Sequence, residues 1–432
     1  MKLGDTIAKE GIFVDGDWVE SKDQDPNGEV RLIQLADIGG IEFRNKSDRY
    51  LTYKKALELN CTFLEKGDLL IARMPDPLGR ACIFPLKGKE KYITVVDVAI
   101  VRVDEKKVDN NFLCYLINAP QSRNSISSLQ SGSTRKRISR KNLGTIDFPL
   151  PPLPPLPEQK KIVAKLEELF SGLDSGAASL KKAKEQIKLY RQSVLASAFS
   201  GRLVGQRTEG KVQSEILKAA EPKVEYNNNG LPEGLPAIAL AKAGWKWVKL
   251  GELISPSKER FEPLKNGNKK YIGLEHIEKG TGTVLGYADS NTVRSTKTVF
   301  NKGDLLYGKL RPYLNKVIVA EFHGVCSTDI LVFNKQDGLS NSFLKYRMLM
   351  EDFVSYAQNN MSGVQHPRIN FKSLSEYELI IPSHSEQNKI VEEIEKRFSE
   401  ADNLERAIDE SLGKSEALRQ SILKQAFEGR LV

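Results

Sequence analysis

Apolar side chains recur every seven residues over one long stretch of the chain, and again over a second. Leu166, Leu173, Leu180, Ile187 and Val194 form one seam, with Val163, Phe170, Ala177 and Ala198 beside it. Ile394, Ile408 and Ile422 form the second, with Val391, Phe398, Leu412 and Ala426 beside it. A seven-residue apolar period is that of a coiled coil. The ends are marked too. Pro157 ends the stiff run PLPPLPPLP and suits a first helical turn, where its missing N–H has no partner to lose. Ser383-His384-Ser385-Glu386 reads as a capping box, and Gly201 and Gly429 stand as C-terminal caps. About 43 residues lie between these signals, or roughly 65 Å of helix. A single globular domain rarely needs helices of that length, so they are predicted to pair.

The two stretches are copies. Glu158–Val204 aligns with Glu386–Val432 at a constant offset of 228, without a gap, and 19 of the 47 pairs are identical. Fixed-period self-similarity of this kind is read before anything else, because it sets the architecture. The segments before the helices correspond more loosely. Lys2-Leu3-Gly4-Asp5 matches Lys249-Leu250-Gly251-Glu252. Lys66-Gly67-Asp68-Leu69-Leu70 matches Lys302-Gly303-Asp304-Leu305-Leu306. Ser131-Gly132 and Arg137-Ile138 match Ser362-Gly363 and Arg368-Ile369. The offset drifts from 247 through 236 and 231 to 228, so landmarks recur while the lengths between them change.

Short strand-like runs punctuated by Gly, Asn, Asp and Pro fill the rest: Asp68–Ala72, Tyr92–Val103, Val317–Ala320 and Ile330–Phe333. Helical stretches at Phe112–Ala119 and Ser342–Met350 follow them. The expected fold is therefore α+β, with two globular mixed domains joined by two long helices packed as an antiparallel coiled coil, a pseudo-twofold internal repeat. Its parts are a first domain over 1–156, a central helix over 157–204, a polar linker over 205–244, a second domain over 245–382 and a C-terminal helix over 383–432. Helix pairing is assigned to Leu166, Phe170, Leu173, Leu180, Ile187, Val194, Ile394, Phe398, Ile408, Leu412 and Ile422.

Charge adds a reason for the pairing. Glu158–Val204 carries nine basic and five acidic residues, net +4, while Glu386–Val432 carries eight and eleven, net −3. Opposite signs favour pairing of the two copies with each other over self-pairing. The whole chain of 432 residues has net charge +9, which permits a polyanionic partner without requiring one. Cys61, Cys82, Cys114 and Cys326 are scattered, with no CxxC pair, and are expected to be reduced and mostly buried. No apolar run is long enough for a bilayer, and no signal-peptide core opens the chain, so a cytoplasmic protein is expected.

Catalytic signatures are missing. There is no GxxxxGK[ST] phosphate loop, no GxGxxG, no HExxH and no GxSxG elbow, and His276, His323, His366 and His384 are the whole histidine complement. No catalytic residue, metal site or cofactor is expected. Basic residues among hydrogen-bonding neighbours are the better signal. Ser133, Thr134, Arg135, Lys136, Arg137 and Arg140 follow the first Ser-Gly landmark, and Gln365, His366 and Arg368 follow the second. Lys309, Arg311 and Tyr313 correspond to the neighbourhood of Arg73, and Arg80 lies close by in sequence. Such loops can set guanidinium forks against guanine edges and lysines against phosphates. A solvated charge run without function is the alternative for any one of them.

The whole pattern resembles the specificity subunit of Type I restriction-modification systems, in which two target-recognition domains alternate with two similar helical regions. The most specific marks are the proline run into Pro157-Glu158-Gln159-Lys160-Lys161-Ile162-Val163, with its counterpart Ser385-Glu386-Gln387-Asn388-Lys389-Ile390-Val391. Arg191-Gln192-Ser193 through Gly201-Arg202-Leu203-Val204, repeated at the C-terminus, is another. The second copy keeps only Ile381-Pro382 of the proline run. The resemblance implies a non-catalytic reader of bipartite double-stranded DNA, with each domain taking one half-site. It implies docking of two methyltransferase subunits, with restriction subunits joined through them, and leaves methyl donor, ATP and magnesium to those partners. A coiled-coil scaffold for protein ligands, without DNA, is the competing reading.

Overall fold

The computed structural model describes residues 2–6, 11–86, 91–148, 153–200, 245–263 and 268–431. The predicted linker over 205–244 and the predicted cap at Gly201 lie outside them. The chain divides into two compact units, Met1–Leu180 with Asp409–Val432, and Lys181–Ile408. Each unit thus takes one globular segment and half of each long helix.

In the first unit the strands are β1 (Phe13–Asp15), β2 (Val30–Ile33), β3 (Arg49–Leu51), β4 (Leu69–Ala72), β5 (Ala81–Ile83), β6 (Lys91–Thr94) and β7 (Val98–Val101). They form a four-stranded sheet ordered β1-β7-β4-β5 and a three-stranded sheet ordered β3-β2-β6, in which β2 and β6 run parallel. Every residue of β4 and β7 is buried, which is why both read as unbroken apolar runs. The run Tyr92–Val103, read as one strand, is two. Val98 N–H closes a turn on the Val95 carbonyl through Val96 and Asp97, and Asp97 is the single turn-forming residue in an otherwise apolar stretch. Helices α1 (Tyr53–Glu58), α2 (Asn110–Asn118), α3 (Pro120–Ser128) and α4 (Arg140–Thr145) complete the segment. Asp109 caps α2 by accepting from the Phe112 N–H, and seven of its nine residues are buried.

The second unit repeats the plan. Its strands are β8 (Lys246–Lys249), β9 (Arg260–Phe261), β10 (Lys270–Ile272), β11 (Ala288–Asp289), β12 (Lys297–Phe300), β13 (Leu305–Gly308), β14 (Val317–Val319), β15 (Gly324–Cys326), β16 (Ile330–Phe333) and β17 (Glu378–Ile381). The parallel pair β10–β15 corresponds to β2–β6, and antiparallel β13 between β14 and β16 corresponds to β4 between β5 and β7. The helices α7 (Asn341–Met348), α8 (Glu351–Asn359) and α9 (Phe371–Ser375) match α2, α3 and α4, and α6 (Leu250–Leu253) matches the 3-10 turn Leu3–Thr6. All four cysteines are free and buried. Burial pushes the Cys61, Cys82 and Cys326 thiols up to about 12.

The long helices are α5 (Leu156–Phe199) and α10 (His384–Phe427), 44 residues each. Pro157 lies in the first turn of α5. Ser383 and Glu386 exchange backbone-to-side-chain hydrogen bonds as the capping box requires. At the far end Gly429 takes φ +71 and Arg430 N–H returns to the Gln425 carbonyl at 3.0 Å, a Schellman closure.

Contacts between the helices are reciprocal. In the first unit, Arg419 lies 4.4 Å over the Phe170 ring and is ion-paired with Asp174. In the second, Arg191 lies 5.6 Å over the Phe398 ring and reaches Asp402 at 2.5 Å. Each residue of one set lies 228 positions from its equivalent in the other, with the roles of the two helices exchanged. The start of α5 meets the end of α10 in the first unit, and the end of α5 meets the start of α10 in the second, so the pairing is antiparallel. Leu166, Phe170, Ile187, Val194, Ile394, Ile408 and Ile422 are buried, while Leu173, Leu180, Phe398 and Leu412 are half-buried.

Each helix is also fastened to a globular segment. Phe427 packs edge-on against Phe112 at 5.3 Å, and Phe199 against Phe343 at 5.1 Å. Two buried glutamines do the polar part. Gln159, 0% exposed, accepts the Asp109 N–H at 2.9 Å and donates to the Lys107 and Pro154 carbonyls, both at 2.8 Å. Gln387 accepts the Ser340 N–H at 2.8 Å and donates to the Pro382 and Gly338 carbonyls at 3.1 and 3.5 Å. A buried amide with all its needs met orients a helix in a way apolar packing cannot.

Candidate nucleic-acid interface

The two Ser-Gly landmarks become the same loop twice. Ser131 and Arg137 exchange backbone hydrogen bonds of 2.8 and 2.9 Å, and Ser362 and Arg368 exchange two of 2.8 Å. Gly132 has φ +90, and a Cβ there would meet the Arg135 carbonyl at 2.6 Å. Gly363 has φ +94. Both positions need the left-handed backbone that glycine adopts without strain.

A frame of hydrogen bonds holds each loop to the strands beneath. Ile138 N–H bonds the Arg73 carbonyl and Arg73 N–H the Asp97 carbonyl; Ile369 N–H bonds the Lys309 carbonyl and Lys309 N–H the Asp329 carbonyl, all between 2.8 and 3.0 Å. Side chains close the frame. Arg137 donates to the Asp97 carboxylate at 2.9 Å, and Arg368 to the Asp329 carboxylate at 3.0 Å. The sequence reading missed both aspartates. They recur at offset 232, beside the 231 of the arginines they hold, and a search for acids at the drifting offset finds them.

This sorts the predicted contact residues. Arg73 differs from the expected exposed contact: its side chain is 9% exposed, donates to the Ile138 and Val96 carbonyls and pairs with Asp15, so it is part of the frame. The Arg137 and Arg368 side chains are committed to aspartates. Arg140 donates to the Phe13 carbonyl at 2.8 Å. The exposed tips remain: Ser133, Thr134, Arg135 and Lys136 in the first unit, Gln365 and His366 in the second. Val364 beside them is 99% exposed. Lys309 is half-buried. Arg311 is exposed and lies at φ +50, where its N–H reaches the Pro367 carbonyl at 2.7 Å. A non-glycine residue held in that region is strained, and such strain collects at ligand-contacting turns. Tyr313, 43% exposed, follows in the same turn. Arg80 is half-buried at the start of β5.

The first tip therefore offers hydrogen-bond donors and positive charge, and the second offers hydrogen-bonding groups beside the exposed Arg311, each on a backbone fixed from below. Among the described residues, no group of three or more His, Cys, Asp or Glu side chains could hold a metal ion, and no helix is long and apolar enough to cross a membrane.

Two copies of one mixed domain, each presenting a braced loop and fastened to reciprocally paired helices, define an internally duplicated protein. The family model for the Type I restriction modification DNA specificity domain matches residues 12–188 and 242–413, and the chain belongs to that family. It is 32% identical over 302 residues to the Type I restriction enzyme EcoDI specificity subunit of Escherichia coli, covering 69% of this chain and 66% of that protein. It is 26% identical over 330 residues to the StySPI specificity subunit of Salmonella potsdam, covering 76% of this chain and 66% of that protein. The matched part is thus just under two thirds of either relative. A chain solved in work on complex assembly and conformational transition of the type I R-M system shares the fold, with a TM-score of 0.67 at 18% identity over 100% of this chain and 97% of that one.

Proposed function

We propose that the chain reads a bipartite double-stranded DNA target as the specificity subunit of a Type I restriction-modification complex. In this reading each unit takes one half-site, and the helices dock methyltransferase subunits, through which restriction subunits join. The observation that carries it is the doubled loop, with one frame and two different tips: Ser133-Thr134-Arg135-Lys136 against Val364-Gln365-His366-Pro367. One frame used twice with different donors suits two half-sites of different sequence. Half-sites read by two domains must match the DNA helical repeat, and paired helices of 44 residues supply a stiff spacer. Methylation requires a base flipped into a partner's pocket, so the reader needs no catalytic group. A cytoplasmic location follows from the same reading.

The test is to co-express the chain with its methyltransferase and map methylated bases across a genome. Expected is one split motif with a fixed gap, of which replacing 245–382 by another family member's second domain changes a single half. A contiguous motif, or a change in both halves, refutes the assignment.

A further inference from the structure

We propose that Arg44, Arg80 and Arg123 of the first unit form a pocket that takes one phosphodiester group of bound duplex DNA. The proposal rests on the DNA-reading function above and adds to it a contact made in one half of the molecule only.

Three segments bring the guanidinium groups together. Ile41 N–H bonds the Ala81 carbonyl at 2.8 Å and Ile41 bridges Cys82, which lays the loop carrying Arg44 along β5, next to Arg80. Helix α3 lies against the turn before β5. A Cβ on Gly79 would come within 2.4 Å of the Ile126 side chain, and Arg123, one turn earlier on the same face, donates to the Pro77 carbonyl at 3.2 Å. Arg44 is exposed at the mouth, while Arg80 and Arg123 are half-buried behind it.

Among the described residues none of these three cations forms an ion pair. Arg80 Nε and Arg123 Nη1 are shielded from solvent and have no hydrogen-bond partner among the described residues. Asp76, on the exposed turn, is the acid whose charge reaches Arg123, and it forms no ion pair with it among the described residues. Burial, followed by the neighbouring Arg44 charge, lowers the Arg80 guanidinium. Burial and the Arg80 charge push Arg123 down to about 10. Buried donors on unpaired like charges are costly, and an oxyanion that accepts from them removes both costs at once. Guanidinium forks match the paired free oxygens of a phosphodiester.

Position identifies the source of that anion. The Arg80 carbonyl accepts the Ala72 N–H at 2.8 Å, and Ala72 adjoins Arg73, whose carbonyl anchors the loop of 131–137. A duplex laid on that loop passes the pocket. The second unit differs at both buried positions. Lys316 stands in place of Arg80 with its ammonium spent on the Leu274 carbonyl at 2.6 Å, and Val354 stands in place of Arg123.

The test uses the full chain, alone and with its co-expressed methyltransferase. Duplex affinity is measured against salt for the native protein, Arg44→Gln, Arg80→Gln and Arg123→Met, and each is melted without DNA, with and without inorganic phosphate. Expected for Arg80→Gln and Arg123→Met is a loss of roughly tenfold or more in affinity on any duplex sequence, and a log–log salt slope shallower by about one. Their melting temperatures without DNA should be equal or higher, because like-charge repulsion is relieved; a merely structural arginine would lower them. Arg44→Gln, at the exposed mouth, gives the same sign should a buried variant fail to fold. Unchanged slope and affinity in all variants overturn the pocket while leaving DNA reading intact. Phosphate that raises the melting temperature of the native chain but not of Arg123→Met, with DNA binding unaltered, marks a site for a free anion and also overturns it. A native chain that binds no duplex in either form sinks the DNA-reading function itself.

Discussion

Replacing Gln159 by Glu changes one NH2 into one oxygen and leaves the shape alone, so its effect isolates two hydrogen bonds. In the native chain the Gln159 Nε2 donates to the Lys107 and Pro154 carbonyls while Oε1 accepts from Asp109 N–H. A glutamate can keep the acceptor side. When protonated it can still serve one of the two carbonyls, and the loss is about 1 kcal/mol. When ionised it faces both carbonyls with negative charge in a site 0% exposed in the native chain, and its pKa must rise. The unfolded value is about 4.3, and a rise of two to three units corresponds to about 3–4 kcal/mol. The sign follows. Below pH ~4 the group is protonated in both states and the variant is nearly native; as pH climbs from there toward the folded pKa, stability falls at about 1.4 kcal/mol per unit. Hydrogen exchange of the peptide 104–118, corrected for intrinsic rates, reads this directly, with the equivalent peptide 335–349 of the second unit as control. Exchange should be about tenfold faster than native near pH 4 and roughly a thousandfold or more faster near pH 7. A ratio that does not change with pH would refute the claim that this amide is a buried, fully used clamp.

Two further expectations concern the same structure. Phe427→Ala should cost about 3–5 kcal/mol and loosen the first unit, while Phe199→Ala loosens the second; exchange rates by peptide show which unit responds. Burial raises the Asp17 carboxyl to about 6, against the lowering effect of the Thr62 N–H. Its raised folded pKa means that stability is lost as pH rises from about 4 through 6. Asp17→Asn should then melt higher than the native chain at pH 7, by about 1 kcal/mol after allowance for solvent screening, and show no gain at pH 4.

The repeat, the helices and the domain order were legible because each rests on a period or an offset that survives divergence. Helix pairing could be read from Leu166 through Val194, since the seven-residue period is local. What escaped was long-range. Arg73 looked like a contact because it corresponds to the neighbourhood of Lys309, Arg311 and Tyr313, and only the fold shows Ile138, Val96 and Asp15 converging on its guanidinium. Asp97 and Asp329 went unnoticed because an acid 40 residues from its arginine leaves no local signature. The turn at Val96-Asp97 lay inside apolar sequence with Asp97 as its single polar mark. The identical residues of the two helices gain an explanation they lacked: Gln159, Phe170, Asp174, Arg191 and Phe199, with their copies 228 positions on, are the ones that touch a partner reciprocally.

Residues 409–432 complete the core of the first unit, where Ile422, Leu423, Ala426 and Phe427 pack with Phe112, Leu166 and Phe170. The ribosome makes them 228 residues after Leu180, the intervening stretch being the whole second unit. At roughly 5–20 residues per second, the nascent first unit waits about 10–50 s with an open apolar groove. During that interval it is a substrate for chaperones and a hazard for aggregation. A chain that stops anywhere within the second unit leaves that core without Ile422, Leu423, Ala426 and Phe427.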